Sequence, residues 1–289
     1  MRQVRGHLVV VSTLFRGLCT CWLMWMGLIG DHHHDCQAQE IRVHTRVLEL
    51  SSDHERPRIL AHSLTIFHGG KVYDYLNSLN EVTIYEPALK RFTILHIASG
   101  SAARIEQDEV RRYLSLVEEQ LRARVQDWAS DVSRSQDLKW IAWQLDPTFE
   151  VSVDEARRLV SCIHPFCRYE IETTTCPVPE VVDVYLKSAD RLAEINALLH
   201  PHALLPSARQ RVNAILLQHG WLPISVRRTL SIGGQQQDLR VDHEWKWRLE
   251  EVDRRFISQW EAQLQKAELR WLPFPQQQRE VLTNRISQR

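Results

Sequence analysis

Hydrophobic and polar positions along this chain follow two periods. From Leu239 to Leu249 they alternate strictly, with Leu239, Val241, His243, Trp245, Trp247 and Leu249 on one side. Arg240, Asp242, Glu244, Lys246 and Arg248 fall on the other. A period of two is that of a strand with one buried face and one face in water. Such strands are usually antiparallel, because parallel strands are covered on both faces. The same reading gives strands over 41–50, 59–68 and 71–76, then a hairpin of 81–85 with 91–95 around Glu86-Pro87-Ala88-Leu89-Lys90. Five closely spaced strands with no helix between them predict an antiparallel meander.

Near Arg104 the period lengthens. Val110, Tyr113, Leu114, Val117, Leu121, Val125 and Trp128 recur at three- and four-residue steps, which predicts an amphipathic helix over 104–129. A second helix over 135–145 stops at Asp146-Pro147. Strands over 149–153, 158–163 and 166–175 follow. Helices are then expected over 181–199 and from Pro206 to His219, with Gly220 just past the end of the latter. Strands 222–232 and 237–249 flank Ser231-Ile232-Gly233-Gly234, a hairpin signal. Val252, Phe256, Trp260 and Leu264 mark a last helix. The expected class is α+β: a large curved antiparallel sheet with helices packed on one face. One domain is expected over 39–270, with 271–289 a flexible tail.

Composition changes this picture mainly at the amino terminus. The chain has 289 residues, 44% of them hydrophobic, enough for a sizeable core. Lys+Arg and Asp+Glu are each 36, so no net field attracts nucleic acid. Residues 1–38 differ: Arg2 and Arg5 form a basic start, Leu18–Ile29 is apolar, and Cys36-Gln37-Ala38 places small residues at −3 and −1. These features predict a signal peptide cleaved after Ala38, and so a periplasmic or secreted protein with no transmembrane span in its mature chain. An uncleaved anchor is the alternative. Cys162, Cys167 and Cys176 remain after cleavage, so at most one disulfide is expected. A hairpin turning at His164-Pro165 sets Cys162 opposite Cys167, close enough to be bridged.

No strong catalytic motif is present. The sequence lacks Gly-x-Ser-x-Gly, a phosphate-binding glycine loop, His-Glu-x-x-His and Cys-x-x-Cys, so no catalytic residue, metal ligand or cofactor is assigned. His200-Pro201-His202 supplies two imidazoles where a stable zinc site takes three or four ligands. His68 and His96 have the chemistry of acid/base groups, and Asp74, Glu81 and Glu86 crowd the meander. Ordinary hydrogen-bonded histidines and a solvated sheet rim are the simpler readings, and His243 reads as a satisfied core histidine.

Two resemblances follow from these residues. The arrangement Leu64-Thr65-Ile66-Phe67-x-Gly69-Gly70-x-Val72-Tyr73-Asp74, then Glu81–Pro87, Arg91-Phe92 and Asn196–Pro201, resembles a set of exported bacterial proteins that have no assigned activity. The Gly-x-Val-Tyr-Asp and Tyr-x-Pro-x-x-x-x-Phe pieces are similar to the periplasmic lipoprotein-carrier family. That likeness implies a half-barrel sheet holding acyl chains against helices. This chain departs from the pattern by lacking a helix before the first strand and by adding helices over 181–219.

The functional expectation is an exported, non-enzymatic protein. Its partner would be an apolar small molecule or lipid, or another protein, held between sheet and helices. The expected seam joins Leu114, Val117 and Leu121 to Val241, Trp245 and Trp247. The alternative is an exported hydrolase using scattered His, Asp and Glu. A purely apolar pocket favours the first, and converging titratable groups favour the second.

Overall fold

A computed structural model describes residues 40–50, 57–130, 134–200 and 204–287. The predicted leader and His202 lie outside the described residues. Twelve strands form one open, mostly antiparallel sheet in the order β12-β6-β5-β4-β3-β2-β1-β11-β10-β9-β8-β7. The meander comprises β1 (Ile41–Glu49), β2 (Arg58–His68), β3 (Lys71–Leu76), β4 (Glu81–Glu86), β5 (Arg91–His96) and β6 (Ser101–Glu106). Two of its hairpins share one device. Asn77–Leu79 and Pro87–Leu89 each make a single 3-10 turn, and Asn80 (φ 49°) and Lys90 (φ 48°) then reverse the chain in the left-handed region. Asn adopts that region readily and Lys does so at a cost.

Helices α1 (Gln107–Asp127) and α2 (Ser135–Leu145) precede β7 (Glu150–Asp154), β8 (Leu159–His164) and β9 (Cys167–Thr175). Helices α3 (Pro179–Leu199) and α4 (Ser207–His219) come next. Gly220 sits past α4 at φ 66°, as its position in the sequence suggests. The long hairpin of β10 (Trp221–Ile232) and β11 (Gln235–Lys246) then brings β11 beside β1, antiparallel, from Arg42↔Lys246 to Glu49↔Leu239. This pairing joins the meander to β7–β10.

The fold is thus α+β around a large curved sheet. Helices α1–α4 cover one face, here the inner face, through Val110, Leu114, Trp143, Tyr185, Leu186, Ile195, Val212 and Leu216. The outer face of β2–β6 is also apolar, with Ile66, Tyr73, Val82, Ile84 and Leu95 buried there. It is covered by α5 (Glu251–Leu264), whose Trp260 lies 6.0 Å from the Tyr73 ring and 5.5 Å from that of Tyr75. An ion pair holds α5 down: Arg42 of β1 reaches Asp253 at 3.0 Å, and Asp253 is 1% exposed. Tyr73 and Lys71 both donate to Glu261, at 2.7 and 2.8 Å.

Three expectations are corrected. First, the described part of the expected tail, residues 271–287, is not loose. After β12 (Arg270–Trp271), α6 (Phe274–Ser287) buries Phe274, Gln277 and Val281, and Gln277 donates to the Ile94 carbonyl at 3.0 Å. Second, the β8–β9 hairpin turns at Pro165-Phe166, one residue later than expected. His164 therefore opposes Cys167, and Cys162 opposes Tyr169. Cys162 and Cys167 are buried free thiols, diagonal to one another, and burial pushes them up to about 11 and about 12. Third, β11 packs against α3 rather than α1. Trp245 meets Tyr185 of α3 edge-on at 4.6 Å, and its indole N–H donates to the Pro223 carbonyl at 2.9 Å.

The last correction changes which tryptophan matters for stability. Trp247 lies beyond the end of β11, 38% exposed and stacked on Trp245 at 5.6 Å. Trp260 is 4% exposed. Trp260→Ala is expected to cost about 3–5 kcal/mol, the usual range for a buried Trp. Trp247→Ala should cost no more than about 1 kcal/mol, as for surface changes. Urea denaturation measures both. Equal losses contradict the assignment of a covered outer face.

Candidate functional site

The sheet register sorts the inner face into three rows across the meander. The first is apolar throughout: Ile41, Phe67, Val72, Tyr85, Phe92 and Ile105 stand opposite one another from β1 to β6. The second mixes Val43, Thr65, Asp74, Thr83, Ile94 and Ala103 in the same way. The third is mostly polar. It runs from His243 of β11 through Thr45, Ser63, Leu76, Glu81 and His96 to Ser101. Polarity therefore rises along the strands, under the carboxyl-terminal end of α3 and the length of α4.

Between these rows and α3–α4 lies a cavity of about 390 Å³. That is within the roughly 300–1,000 Å³ typical of small-ligand pockets. Val47, Val226, Val241 and Leu239 line it from the sheet; Leu192, Val212 and Leu216 do so from the helices. Its polar members are Thr45, Ser63, Thr65, Asp74, Glu81, Thr83, Asn196, His200, Arg209, Asn213, Arg228 and His243. Arg209, in the first turn of α4, is the exposed residue of this lining, so the cavity opens beside it.

Several titratable groups here have a local partner. Asp74 accepts from Thr65 Oγ1 at 2.7 Å, and burial raises its carboxyl above the usual range. His243 Nδ1 lies 3.0 Å from Thr45 Oγ1. Burial, helped by the Arg209 charge, lowers the His243 imidazole to about 4, so it is neutral at pH 7. Glu81 faces His200 at 3.8 Å. His96 Nδ1 accepts the Ser99 backbone N–H at 3.3 Å and contacts Ser99 Oγ at 2.9 Å; Ser99 Oγ in turn meets Ser101 Oγ at 2.7 Å. Tyr185 is pushed up to about 12 by burial. Among the described residues, no three His, Cys, Asp or Glu side chains gather into a metal-binding group.

The expected seam is only partly assembled. Val241 lines the cavity, while Trp245 packs beside it on Tyr185. Leu114 is buried in the inner core under α1. Val117 is 37% exposed, and Leu121 is half-buried farther along that helix. The α1 residues therefore do not meet the β11 residues. The structure does bring Asp74, Glu81, His96 and His243 to the inner face, with His200 at the end of α3 facing Glu81. Their registers follow from strand pairing, which spacing along the chain does not reveal. His68 and Glu86 lie elsewhere, paired with Glu40 at 3.0 Å and with Arg91 at 2.9 Å. A larger open hollow of about 910 Å³ lies between α2 and the turns at 165–166 and 233–234. It carries fewer titratable groups: Lys139, Asp146 and His164.

The chain matches no protein-family model, and no curated protein is significantly similar to it. No helix among the described residues is long and apolar enough to cross a membrane.

The neutral His243 has a measurable consequence. The unfolded chain takes up a proton near pH 6.5, and the folded chain does so only near pH 4. Stability therefore falls as pH drops through that window, by on the order of 3 kcal/mol. His243→Gln keeps a partner for Thr45 and removes the titration, so its denaturation free energy should fall less between pH 7 and pH 4. An unchanged pH slope contradicts the buried, neutral imidazole.

Proposed function

We propose that this is an exported protein that binds an apolar or acyl ligand between its sheet and the α3–α4 pair. The cavity carries the reading. Aliphatic and aromatic side chains of β1, β2, β9, β10, β11, α3 and α4 line it, among them Val47, Phe67, Ile171, Val226, Val241, Leu192 and Leu216. Several of its polar groups are occupied with one another, as in Asp74 with Thr65 and His243 with Thr45. Such groups orient a ligand's polar end rather than transform it. Neither Asp74 nor His243 is set against the other as an acid/base pair. An open sheet with helices over one face also suits the carrier family that the sequence resembles.

One observation favours a hydrolase as the second reading. His96 contacts the Ser99 hydroxyl at 2.9 Å and stands opposite Glu81 in the β4–β5 pairing. A serine, a histidine and a carboxylate in line are the parts of a nucleophilic site. Here, however, the same Nδ1 accepts the Ser99 backbone N–H, which is the geometry of a turn lock.

Nile red, a neutral apolar dye, separates the readings. The folded protein should take it up with a fluorescence rise. Ala189→Phe, at a small residue of α3 in the cavity wall, should abolish the rise without lowering the denaturation midpoint. Ser99→Ala should leave uptake unchanged. No uptake by the unaltered protein, together with ester hydrolysis lost in Ser99→Ala, reverses the assignment.

A further inference from the structure

The cavity shares a wall with a second, smaller one. A hollow of about 220 Å³ lies beyond it, lined by Leu204, Leu205, Pro206 and Leu230 among others. Tyr169, Asn196, Arg209 and Arg228 border both spaces. Arg228 points inward from β10. Its neighbours on that face are apolar or aromatic: Val226 and Leu230 along the strand, Tyr169 and Leu239 across it. A guanidinium on such a face is costly unless something pairs with it.

Among the described residues its hydrogen-bond partner is the Tyr169 hydroxyl, and no carboxylate forms an ion pair with it. Among the described residues, neither Arg209 nor Arg228 forms an ion pair, and Arg228 Nε is buried with no hydrogen-bond acceptor. Both charges act on the Tyr169 hydroxyl, so they converge on one place. The Arg209 charge acts on Asp74 and Asp190, but neither forms an ion pair with it: Asp74 accepts from Thr65 and Asp190 from Asn213. Arg209 is exposed and Arg228 lies deeper. The two guanidiniums thus border a cavity whose lining is exposed at Arg209, and the deeper Arg228 keeps a buried Nε–H with no acceptor. An arginine fork matches a carboxylate in geometry and charge.

We propose that Arg209 and Arg228 bind the carboxylate of a single-chain fatty acid whose hydrocarbon tail fills the cavity under α3 and α4. This rests on the ligand-binding reading above and adds the identity of the head group. Tyr169 and Asn196 lie in the same wall.

The test is calorimetric titration of the full chain with two probes of equal chain length, dodecanoate and dodecan-1-ol. Charge-assisted hydrogen bonds should make dodecanoate bind about 10- to 100-fold more tightly. Arg228→Gln and Arg209→Gln should each weaken dodecanoate about 10-fold and leave dodecan-1-ol unchanged. Retained alcohol binding also shows that each variant is folded. Equal affinity of the unaltered protein for the two probes overturns the head-group assignment and keeps the apolar-ligand reading. So does equal weakening of both probes in the arginine variants. Failure to bind either probe overturns both.

Discussion

The fold depends on β1 lying between β2 and β11. Those two partners come from opposite ends of the chain: Thr45 opposes Ser63 on one side and His243 on the other. Closing so long a loop costs entropy before any contact repays it. Several contacts at this junction contribute. On the inner face Val43 is buried, Thr45 meets His243, and Val47 opposes Val241. On the outer face Arg42 reaches from β1 to Asp253 of α5. Without this pairing the meander and the β7–β10 strands would each present an open edge, and the cavity would lose its middle wall.

The same junction explains why the inner face is left partly unfilled. Apolar rows under α1 and the start of α3 close completely around Phe92, Ile94 and Ile105. Farther along, the rows carry Thr65, Asp74, Thr45, Ser63 and His243, short or polar side chains that hydrogen-bond to one another in place of interdigitating with the helices. Asn213 and Asp190 are similarly paired between α4 and α3 at 2.6 Å. A layer of mutually satisfied polar groups does not reach across to the opposite wall, and the space that remains is the cavity. Asp74, His243 and Asp190 are tolerated here because each has a partner.

Much of this was legible in the sequence. Alternation gave β1, β10 and β11, the 3.6 period gave α1 and α3, and Gly220 and Gly233-Gly234 gave their turns. β6 was missed because Ser101-Ala102-Ala103-Arg104 has little hydrophobic contrast. α6 was missed because Pro273, Pro275 and a run of glutamines resemble a tail. The seam failed for a different reason: periodicity says that a face is buried, and not which helix buries it. Leu249 shows the limit well. It continues the alternation of β11, yet the strand ends at Lys246 and the side chain joins the α5 cluster on the outer face. The site was least legible, since Asp74, His243 and Arg228 meet only through strand register.

The central claim is that the inner face beside β11 is open to small molecules in the folded state. Val241→Cys places a thiol on the cavity wall, and native alkylation with iodoacetamide followed by mass spectrometry reads its accessibility. Cys162 and Cys167 are buried with raised pKa values and should stay unmodified, while the half-buried Cys176, with Cys19, Cys21 and Cys36 in any chain that keeps residues 1–38, sets the background. The account predicts that the introduced thiol is modified in the native protein, and more slowly when an apolar ligand is present. Modification only after denaturation, at the same point as Cys162 and Cys167, would contradict it and make the space under α3 and α4 a closed core.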